Sequence, residues 1–238
     1  RTAISIKAGV KTPLAGYFKA ILKLLLAFSW HNTWNTSIFT DNLYSDLVME
    51  NEFTQYLSNL PMFSEEEKQF LAENIQVESF KKGDILIREG DIATRCYFVL
   101  KGCVRQYKLI DGEEKTTAFF LEQQAVVSYT SYLQKIPSNH YCVCAEDCAL
   151  IAGTPDTEQE MYRKFPKLEA FTRSFMSEDF GKTQEAYAAF ITSSPEERYR
   201  NLLQTQPQLF QRVPQHQIAS YLGMTPESLS RIRKRIAS

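Results

Sequence analysis

The last segment of the chain, HQIASYLGMTPESLSRIRKRIAS (residues 216–238), combines several cations and one carboxylate at helical spacing. A helix would carry its polar side chains on one side, because they lie three or four residues apart. The residues on this predicted outward face are Glu227, Ser230, Arg231 and Lys234. Arginine donates two hydrogen bonds to guanine O6 and N7, and glutamate accepts one from cytosine N4. The spacing therefore predicts contacts with base edges in a DNA major groove. The residues suited to phosphate oxygens are Thr225, Arg233 and Arg235.

The other residues of this segment predict a helix-turn-helix. The inward positions are Ile218, Ala219 and Leu222 in a first helix and Leu229, Ile232 and Ile236 in a second. Gly223 permits a left-handed turn, Met224 fills the corner, and Thr225 caps the second helix with Pro226 at its first position. An ordinary helical hairpin is the alternative, but chance agreement at all of these positions is improbable. One such unit contacts little DNA, so we expect a dimer on a palindromic site.

The distribution of charge agrees with this interpretation. The 238 residues carry a net charge of −1, with 44% hydrophobic and 23% charged residues, as in ordinary globular proteins. From Ser193 onward there are seven Lys or Arg and three Asp or Glu, a balance of +4. The preceding residues hold the other 20 cations and 25 anions, a balance of −5. A basic end on an acidic body is typical of a chain whose end meets nucleic acid, although a short basic tail can simply be solvated.

The cysteines and histidines favour neither a metal site nor a disulfide framework. There are five cysteines, an odd number, and none forms a C-x-x-C pair. They lie in β-branched and aromatic runs, so we expect small buried side chains, with no metal bound. Only three histidines occur in the chain, His31, His140 and His216.

Residues 1–48 are predicted to be a leader or extension outside the fold. The stretch from 13 to 30 is apolar but contains Lys19 and Lys23, and its uninterrupted part is too short to span a membrane. Met49 resembles a natural start for a cytoplasmic chain. A packing helix is the second interpretation and a secretion signal the third.

The spacing of hydrophobic residues divides the rest of the chain into helical and strand segments. Residues 49–73 have helical spacing, broken at Pro61 and capped again at Ser64. Short alternating runs with glycine-containing turns follow from 77 to 122, and 140–153 supplies two more strands, which predicts an antiparallel β-roll. Helical period returns in a long helix from Pro166 to about Ile191. Its apolar stripe, which needs the roll or a second copy as a partner, comprises Leu168, Phe171, Phe175, Phe180, Tyr187, Phe190 and Ile191.

The predicted fold class is α+β, with N-terminal helices, an antiparallel roll, a long helix and a C-terminal helix-turn-helix. We place a sensor domain at 49–165, a dimerisation helix at 166–192 and a DNA-binding domain at 193–238. Ser194, as cap, and Pro195 begin the last of these.

This arrangement resembles the Crp–Fnr family of bacterial transcription regulators. The matching segments are KKGDILIREGD, YFVLKGCVRQY and TPESLSRIRKR, within a resemblance that runs from about Phe53 to the end. It implies a cyclic-nucleotide-binding-like roll, a homodimer and sequence-specific promoter binding, with RNA polymerase as a further partner. The family's base-reading Glu and Arg match Glu227 and Arg231, whereas Pro226 replaces its usual Arg. We also expect the family's final β-hairpin wing to be missing.

The resemblance weakens at the effector pocket. Relatives that bind cyclic AMP carry a Gly-Glu pair for the ribose and an Arg-Ser/Thr pair for the phosphate. This chain has Ser128-Tyr129 and Asn139-His140 at those places. An unpaired buried phosphate costs several kcal/mol, so we expect a degenerate pocket, no bound cofactor and little or no affinity for cyclic AMP. The small-molecule effector is therefore unknown.

Two other functional classes compete with the regulator. A cupin-like jelly-roll enzyme needs several histidine and carboxylate ligands inside the barrel, and only His140 lies in the roll. A sensor-only ligand-binding protein would have lost its reading helix, but Glu227 and Arg231 are present. We therefore expect a non-enzymatic DNA-binding protein in the cytoplasm, with no membrane partner.

Overall fold

A computed structural model describes residues 52–237 of the chain. The predicted leader, residues 1–48, lies outside the described residues. Residues 52–58 are helical, and α1 follows at Glu65–Asn74. Ser64 caps α1 as predicted: its hydroxyl accepts from the Glu67 amide at 3.2 Å, and its own amide donates to the Glu67 carboxylate at 2.7 Å.

Eight strands form two four-stranded antiparallel sheets, which confirms the predicted roll. The strands are β1 (Val77–Phe80), β2 (Ile85–Ile87), β3 (Cys96–Lys101), β4 (Val104–Ile110), β5 (Glu113–Phe120), β6 (Ala125–Val126), β7 (Tyr141–Cys144) and β8 (Cys148–Gly153). One sheet has the order β1-β8-β3-β6 and the other β2-β7-β4-β5. Successive strands therefore alternate between the sheets in places, as expected when a meander closes on itself.

The interior of the roll is apolar. Val99, Val104, Val126 and Leu150 are completely buried between the sheets. Cys142 and Cys144 point inward together, because residues two apart on a strand share a face. All five cysteines are free thiols, four of them buried. A short helix, α2 (Tyr129–Gln134), connects β6 to β7.

Two helices follow the roll, α3 (Pro155–Lys164) and α4 (Pro166–Thr192). The long helix predicted from Pro166 is therefore present, but its apolar stripe is divided. Phe171 packs against Phe63, and Phe175 against Phe98 of β3, with ring centroids 5.6 and 5.7 Å apart. Three further members of the stripe, Phe180, Tyr187 and Ile191, are 63%, 67% and 59% exposed. The first half of α4 thus covers its own roll, and the second half leaves apolar side chains in solvent.

Four helices complete the chain as a helical module: α5 (Pro195–Thr205), α6 (Leu209–Arg212), α7 (Gln215–Tyr221) and α8 (Pro226–Ala237). Ser194 caps α5 with a reciprocal hydrogen bond to Glu197, as Ser64 caps α1. The buried side chains of the module come from all four helices and their connections: Tyr199, Leu202, Leu209, Val213, Ile218, Ala219, Leu222, Leu229 and Ile232. Among the described residues, no helix is long and apolar enough to cross a membrane.

Candidate functional site

The turn between α7 and α8 has the geometry that the sequence predicts. Gly223 has φ of +69°, a left-handed conformation that favours glycine. The Met224 amide donates to the Ala219 carbonyl at 3.0 Å, and Ala219 is fully buried where the two helices meet. The Thr225 hydroxyl accepts from the Ser228 amide at 3.3 Å and so caps α8, which begins at Pro226.

The predicted base-reading residues all lie on the solvent side of α8, and we call them the reader face: Glu227, Ser230, Arg231 and Lys234. Leu229 and Ile232, on the opposite side, are 1% and 8% exposed. Arg231 donates one hydrogen bond, from Nε to the Glu227 carbonyl at 3.4 Å. Its two terminal nitrogens have no hydrogen bond within the described residues, so they remain available to a ligand.

The Glu227 side chain is held as a carboxylate. Hydrogen bonds from its own backbone amide and from Thr225 lower the pKa of Glu227, and the charge of Arg231 lowers it further. A carboxylate in the first turn of a helix is also favoured by the helix dipole. The reader face therefore presents one acceptor-only group beside two cations.

The three predicted phosphate contacts differ in their surroundings. Thr225 uses its hydroxyl as the cap of α8. Arg235 forms an ion pair with Glu196 of α5, and Glu196 also binds Arg200 at 2.9 Å. Arg235 therefore joins α8 to α5 and would have to leave that pair to reach a phosphate. Arg233 is half-buried and has no ion pair within the described part of the chain.

One arginine that the sequence analysis missed ties this module to α4. Arg198 donates from Nε to the Phe190 carbonyl at 2.9 Å and from Nη1 to the Leu222 carbonyl at 3.3 Å. Its guanidinium also lies 4.0 Å from the centroid of the Phe190 ring. The end of α4 and the turn of the helix-turn-helix are thus joined through one side chain. No sequence motif marks this role.

Ser128 and His140 of the predicted degenerate effector pocket meet at Ser138, whose hydroxyl donates to the His140 carbonyl at 2.9 Å. Ser128 is buried, and its hydroxyl lies 3.1 Å from that of Ser138, a residue the sequence analysis did not single out. Asn139 Oδ1 lies 3.0 Å from His140 Nδ1, so these neighbours bind each other. Tyr129 is 51% exposed. The polar groups of these side chains are mostly hydrogen-bonded to one another.

One atom in this region is an exception. Nε2 of His140 is buried and has no hydrogen-bond partner among the described residues. Burial lowers the pKa of His140, Lys108 lowers it further, and Glu89 acts in the opposite direction. The imidazole is therefore neutral at physiological pH.

A cavity of about 790 Å³ lies outside the roll, between residues 52–76, the β1-β8-β3-β6 sheet, α2, α3 and α4. Its described lining is mainly apolar. On one wall Glu158 accepts hydrogen bonds from Cys96 at 3.0 Å and from the Tyr132 hydroxyl at 2.9 Å. Burial and the hydrogen bond to Glu158 raise the pKa of Cys96 to about 12, so its thiol stays protonated at neutral pH. No sequence pattern predicts this group, because its members lie far apart in the chain.

Within residues 52–237 no three or more His, Cys, Asp or Glu side chains are grouped so that they could hold a metal ion.

The chain is similar to known proteins in sequence and in structure. The family model for the cyclic nucleotide-binding domain matches residues 77–164. The anaerobic regulatory protein of Aggregatibacter actinomycetemcomitans is 25% identical over 165 residues, which are 64% of this chain and 63% of that protein. The transcriptional activator protein FnrA of Stutzerimonas stutzeri is 25% identical over 167 residues, 64% of this chain and 66% of that protein. The chain thus matches slightly less than two thirds of the length of these relatives.

A solved structure has the same fold. FixK2 from Bradyrhizobium japonicum superposes with a TM-score of 0.55 at 17% identity, over 68% of this chain and 84% of that one. This similarity confirms the predicted architecture of roll, long helix and helix-turn-helix.

Proposed function

We propose that the chain is a Crp–Fnr-type protein, a homodimeric, sequence-specific DNA-binding regulator of transcription, and its similarity to the cyclic nucleotide-binding domain and to two transcription regulators supports this. The observation that carries this proposal is the reader face of α8. Its four polar side chains are exposed above a buried apolar backing, and the terminal nitrogens of Arg231 have no hydrogen bond within the described residues. Such a helix fits a major groove with its side chains directed at base edges.

Arg231 and Glu227 are proposed to contact bases. They lie four residues apart, one turn of the helix, so both reach the same groove. We expect each half-site to contain a G·C pair bound by Arg231, with half-site centres about one turn of DNA, ~10 bp, apart. Arg233 contacts phosphate in this proposal, since it lies beside the reader face.

Binding-site selection followed by affinity measurement tests these roles. Arg231→Ala should weaken binding by about 1–3 kcal/mol and relax the preference at one base pair of each half-site. Arg233→Ala should weaken all sequences alike and reduce the slope of log affinity against log salt by about one. A uniform loss in Arg231→Ala, with base preferences unchanged, would show that Arg231 binds phosphate. No affinity of the unaltered protein for any duplex would disprove the proposed function.

The dimer is proposed to form through the second half of α4. Phe180, Tyr187 and Ile191 are seven and four residues apart, so they share one helix face, and all three are exposed. Two copies of this face would bury each other. Phe175, which the sequence pattern also suggested for the seam, packs on Phe98 of its own roll instead.

Analytical ultracentrifugation of two variants shows which half of α4 forms the dimer interface. Phe180→Glu should weaken the dimer by about 2 kcal/mol or more, roughly 30-fold in Kd, because it places a charge in an apolar seam. Phe175→Ala is the matched control: it should lower thermal stability and leave the dimer intact. Dissociation by Phe175→Ala alone would move the interface to the first half of α4.

The effector is proposed to be a small molecule other than cyclic AMP. Support comes from Ser128 and Asn139, which are bound to Ser138 and His140 and offer neither a carboxylate nor a guanidinium. No observation in the described structure favours the enzyme alternative.

A further inference from the structure

Three turns of the roll converge on one arginine of the helical module. Arg212, the last residue of α6, donates from Nη1 to Glu122 Oε2 at 2.9 Å and from Nη2 to Glu122 Oε1 at 2.7 Å. It also donates from Nε and Nη2 to Glu146 Oε1, at 3.0 and 2.5 Å. Glu122 lies in the β5–β6 turn and Glu146 in the β7–β8 turn. The third turn, β3–β4, joins through the Gly102 amide, which donates to Glu122 at 2.9 Å.

The Gly102 position leaves little freedom for change. Its φ is +106°, and a Cβ there would lie 2.6 Å from Cys148 Sγ and 2.8 Å from the Asp147 carbonyl. Only glycine fits this close approach of the β3–β4 and β7–β8 turns. The acceptor site for Arg212 is therefore built from a constrained part of the roll, and it does not consist of two mobile surface carboxylates.

Other contacts between the module and the roll lie beside this site. The Thr116 amide of β5 donates to the Ser220 hydroxyl of α7 at 2.9 Å. The rings of Phe119 and Tyr221 meet edge to face, with centroids 5.4 Å apart. Cys103, Phe119 and Leu121 of the roll belong to the same buried cluster as the core of the module. The module thus packs on β5 through an apolar patch that Arg212 borders.

Partial burial strengthens the ion pairs. The side chains of Arg212, Glu122 and Glu146 are 20%, 36% and 31% exposed. Burial acts to raise the pKa of Glu122, but hydrogen bonds from Arg212 and from backbone amides outweigh it, and the pKa is lowered. The Arg212 guanidinium binds two carboxylates and is a stronger anchor than a single exposed ion pair.

Two arginines of the module thus attach it to different parts of the chain, in addition to the contacts between α7 and β5. Arg198 joins it to the end of α4, and Arg212 joins it to the roll. Arg198 holds the module at the end of α4, and Arg212, together with the α7–β5 contacts, holds it against the roll, so its orientation is restrained at two separate places. The contacts with the roll come from α6 and α7, whereas the reader face is exposed. The attachment to the roll therefore positions the reader face without covering it.

We propose that Arg212 is a positioning residue that, by joining Glu122 and Glu146, fixes the helical module on the roll. It thereby sets the distance between the two reader helices of the dimer. Arg212 therefore selects the spacing between half-sites that the protein accepts. It does so independently of the bases that Arg231 reads. This inference rests on the proposed function, because a spacing exists only if a dimer binds two half-sites.

The test uses the full chain and three variants. Arg212→Gln removes the guanidinium, and Glu146→Gln weakens one of its two partners. Asp147→Asn is the matched control: it changes the neighbouring carboxylate in the same turn, which faces Lys81 at 3.0 Å and not Arg212. Affinity is measured on duplexes that carry the selected half-sites at the preferred spacing and at spacings longer or shorter by one and two base pairs.

Arg212→Gln should reduce the preference for the best spacing by about tenfold, within the usual range of coupling between sites, and leave the preferred bases of each half-site unchanged. Glu146→Gln should act in the same direction with a smaller effect, and Asp147→Asn should behave like the unaltered protein. An unchanged spacing profile in Arg212→Gln would overturn the proposal. If Arg212→Gln does not fold, Glu146→Gln carries the same test, because it retains the pair with Glu122.

A second measurement needs no DNA. Hydrogen–deuterium exchange of a peptide covering β5 reports on the Thr116 amide, which donates to Ser220. Exchange should be faster in Arg212→Gln and unchanged in Asp147→Asn. Unchanged exchange in Arg212→Gln would show that this residue does not hold the module. If the unaltered protein binds no DNA, the proposed function fails, and exchange still decides whether Arg212 attaches the module to the roll.

Discussion

The two polar regions of this molecule, the reader face on α8 and the residues around Ser128 and His140 in the roll, differ in how far their polar groups bind one another. On the reader face the side chains are exposed, and the terminal nitrogens of Arg231 make no hydrogen bond within the described residues. In the roll, Ser128 binds Ser138 and Asn139 binds His140. Side chains that already bind each other have little capacity for a polar ligand, and here Nε2 of His140 is the exception, since it is buried without a partner among the described residues. The reader face is therefore the more open of the two regions to a polar ligand.

The reader face is held in place by its apolar backing. Leu229 is 1% exposed under that face. Leu229→Ala should lower the free energy of unfolding by about 2–5 kcal/mol, because it leaves a cavity among α5, α7 and α8. Urea denaturation followed by circular dichroism measures the change. Ser230→Ala, the exposed neighbour, should stay within about 0.5 kcal/mol. A loss below about 1 kcal/mol in Leu229→Ala would mean that the module is not packed as described.

In the roll, the buried His140 should make stability depend on pH. The folded-state pKa of His140 is lowered from 6.5, chiefly by burial. Below about pH 6.5 the unfolded chain therefore binds more protons at this residue, and the free energy of unfolding should fall as the pH falls. In His140→Gln this part of the decline should disappear between pH 7 and about 5. Chemical denaturation at several pH values measures it.

His216, which is exposed at the start of α7, provides the control for that measurement. His216→Gln should leave the decline in place. If both variants decline as the unaltered protein does, the pH dependence arises from other groups, and the buried imidazole does not contribute to it.

The smallest expected effect is that of cyclic AMP, which should leave thermal stability unchanged. A ligand that binds the folded state stabilises it by RT ln(1 + [L]/Kd), so a millimolar concentration that does not shift Tm indicates negligible binding. Isothermal calorimetry provides the independent check. Micromolar affinity would show that the roll has kept a nucleotide site and that the Ser128 and Asn139 positions do not correspond to the family's binding pairs.

Much of the fold follows from local sequence features. The caps at Ser64, Ser194 and Thr225 are where the sequence predicts them, because a hydroxyl before a helix binds the same amides in almost any context. The left-handed turn at Gly223 is equally local. The alternation of apolar residues in the strands predicts the roll, since burial of one face dictates a period of two.

The division of the α4 stripe could not be predicted. Phe175 and Phe180 look alike in the sequence, but Phe98, which lies 77 positions before Phe175, covers only the former. A hydrophobic period shows that a helix face needs an apolar partner, but it does not show which residues form that partner. The placement of Glu158 beside Cys96 and Tyr132 likewise depends on how α3 packs on the roll.

The helix-turn-helix and its outward side chains can be predicted from the amino-acid sequence, because caps, glycine conformation and helical period act over a few residues. The position of the helix-turn-helix relative to the roll depends on tertiary contacts. Arg212 meets Glu146 and Glu122 across 66 and 90 positions of the chain, and Ser220 meets Thr116 across 104. Such pairs depend on the closure of the roll and the packing of the module, which no local pattern encodes.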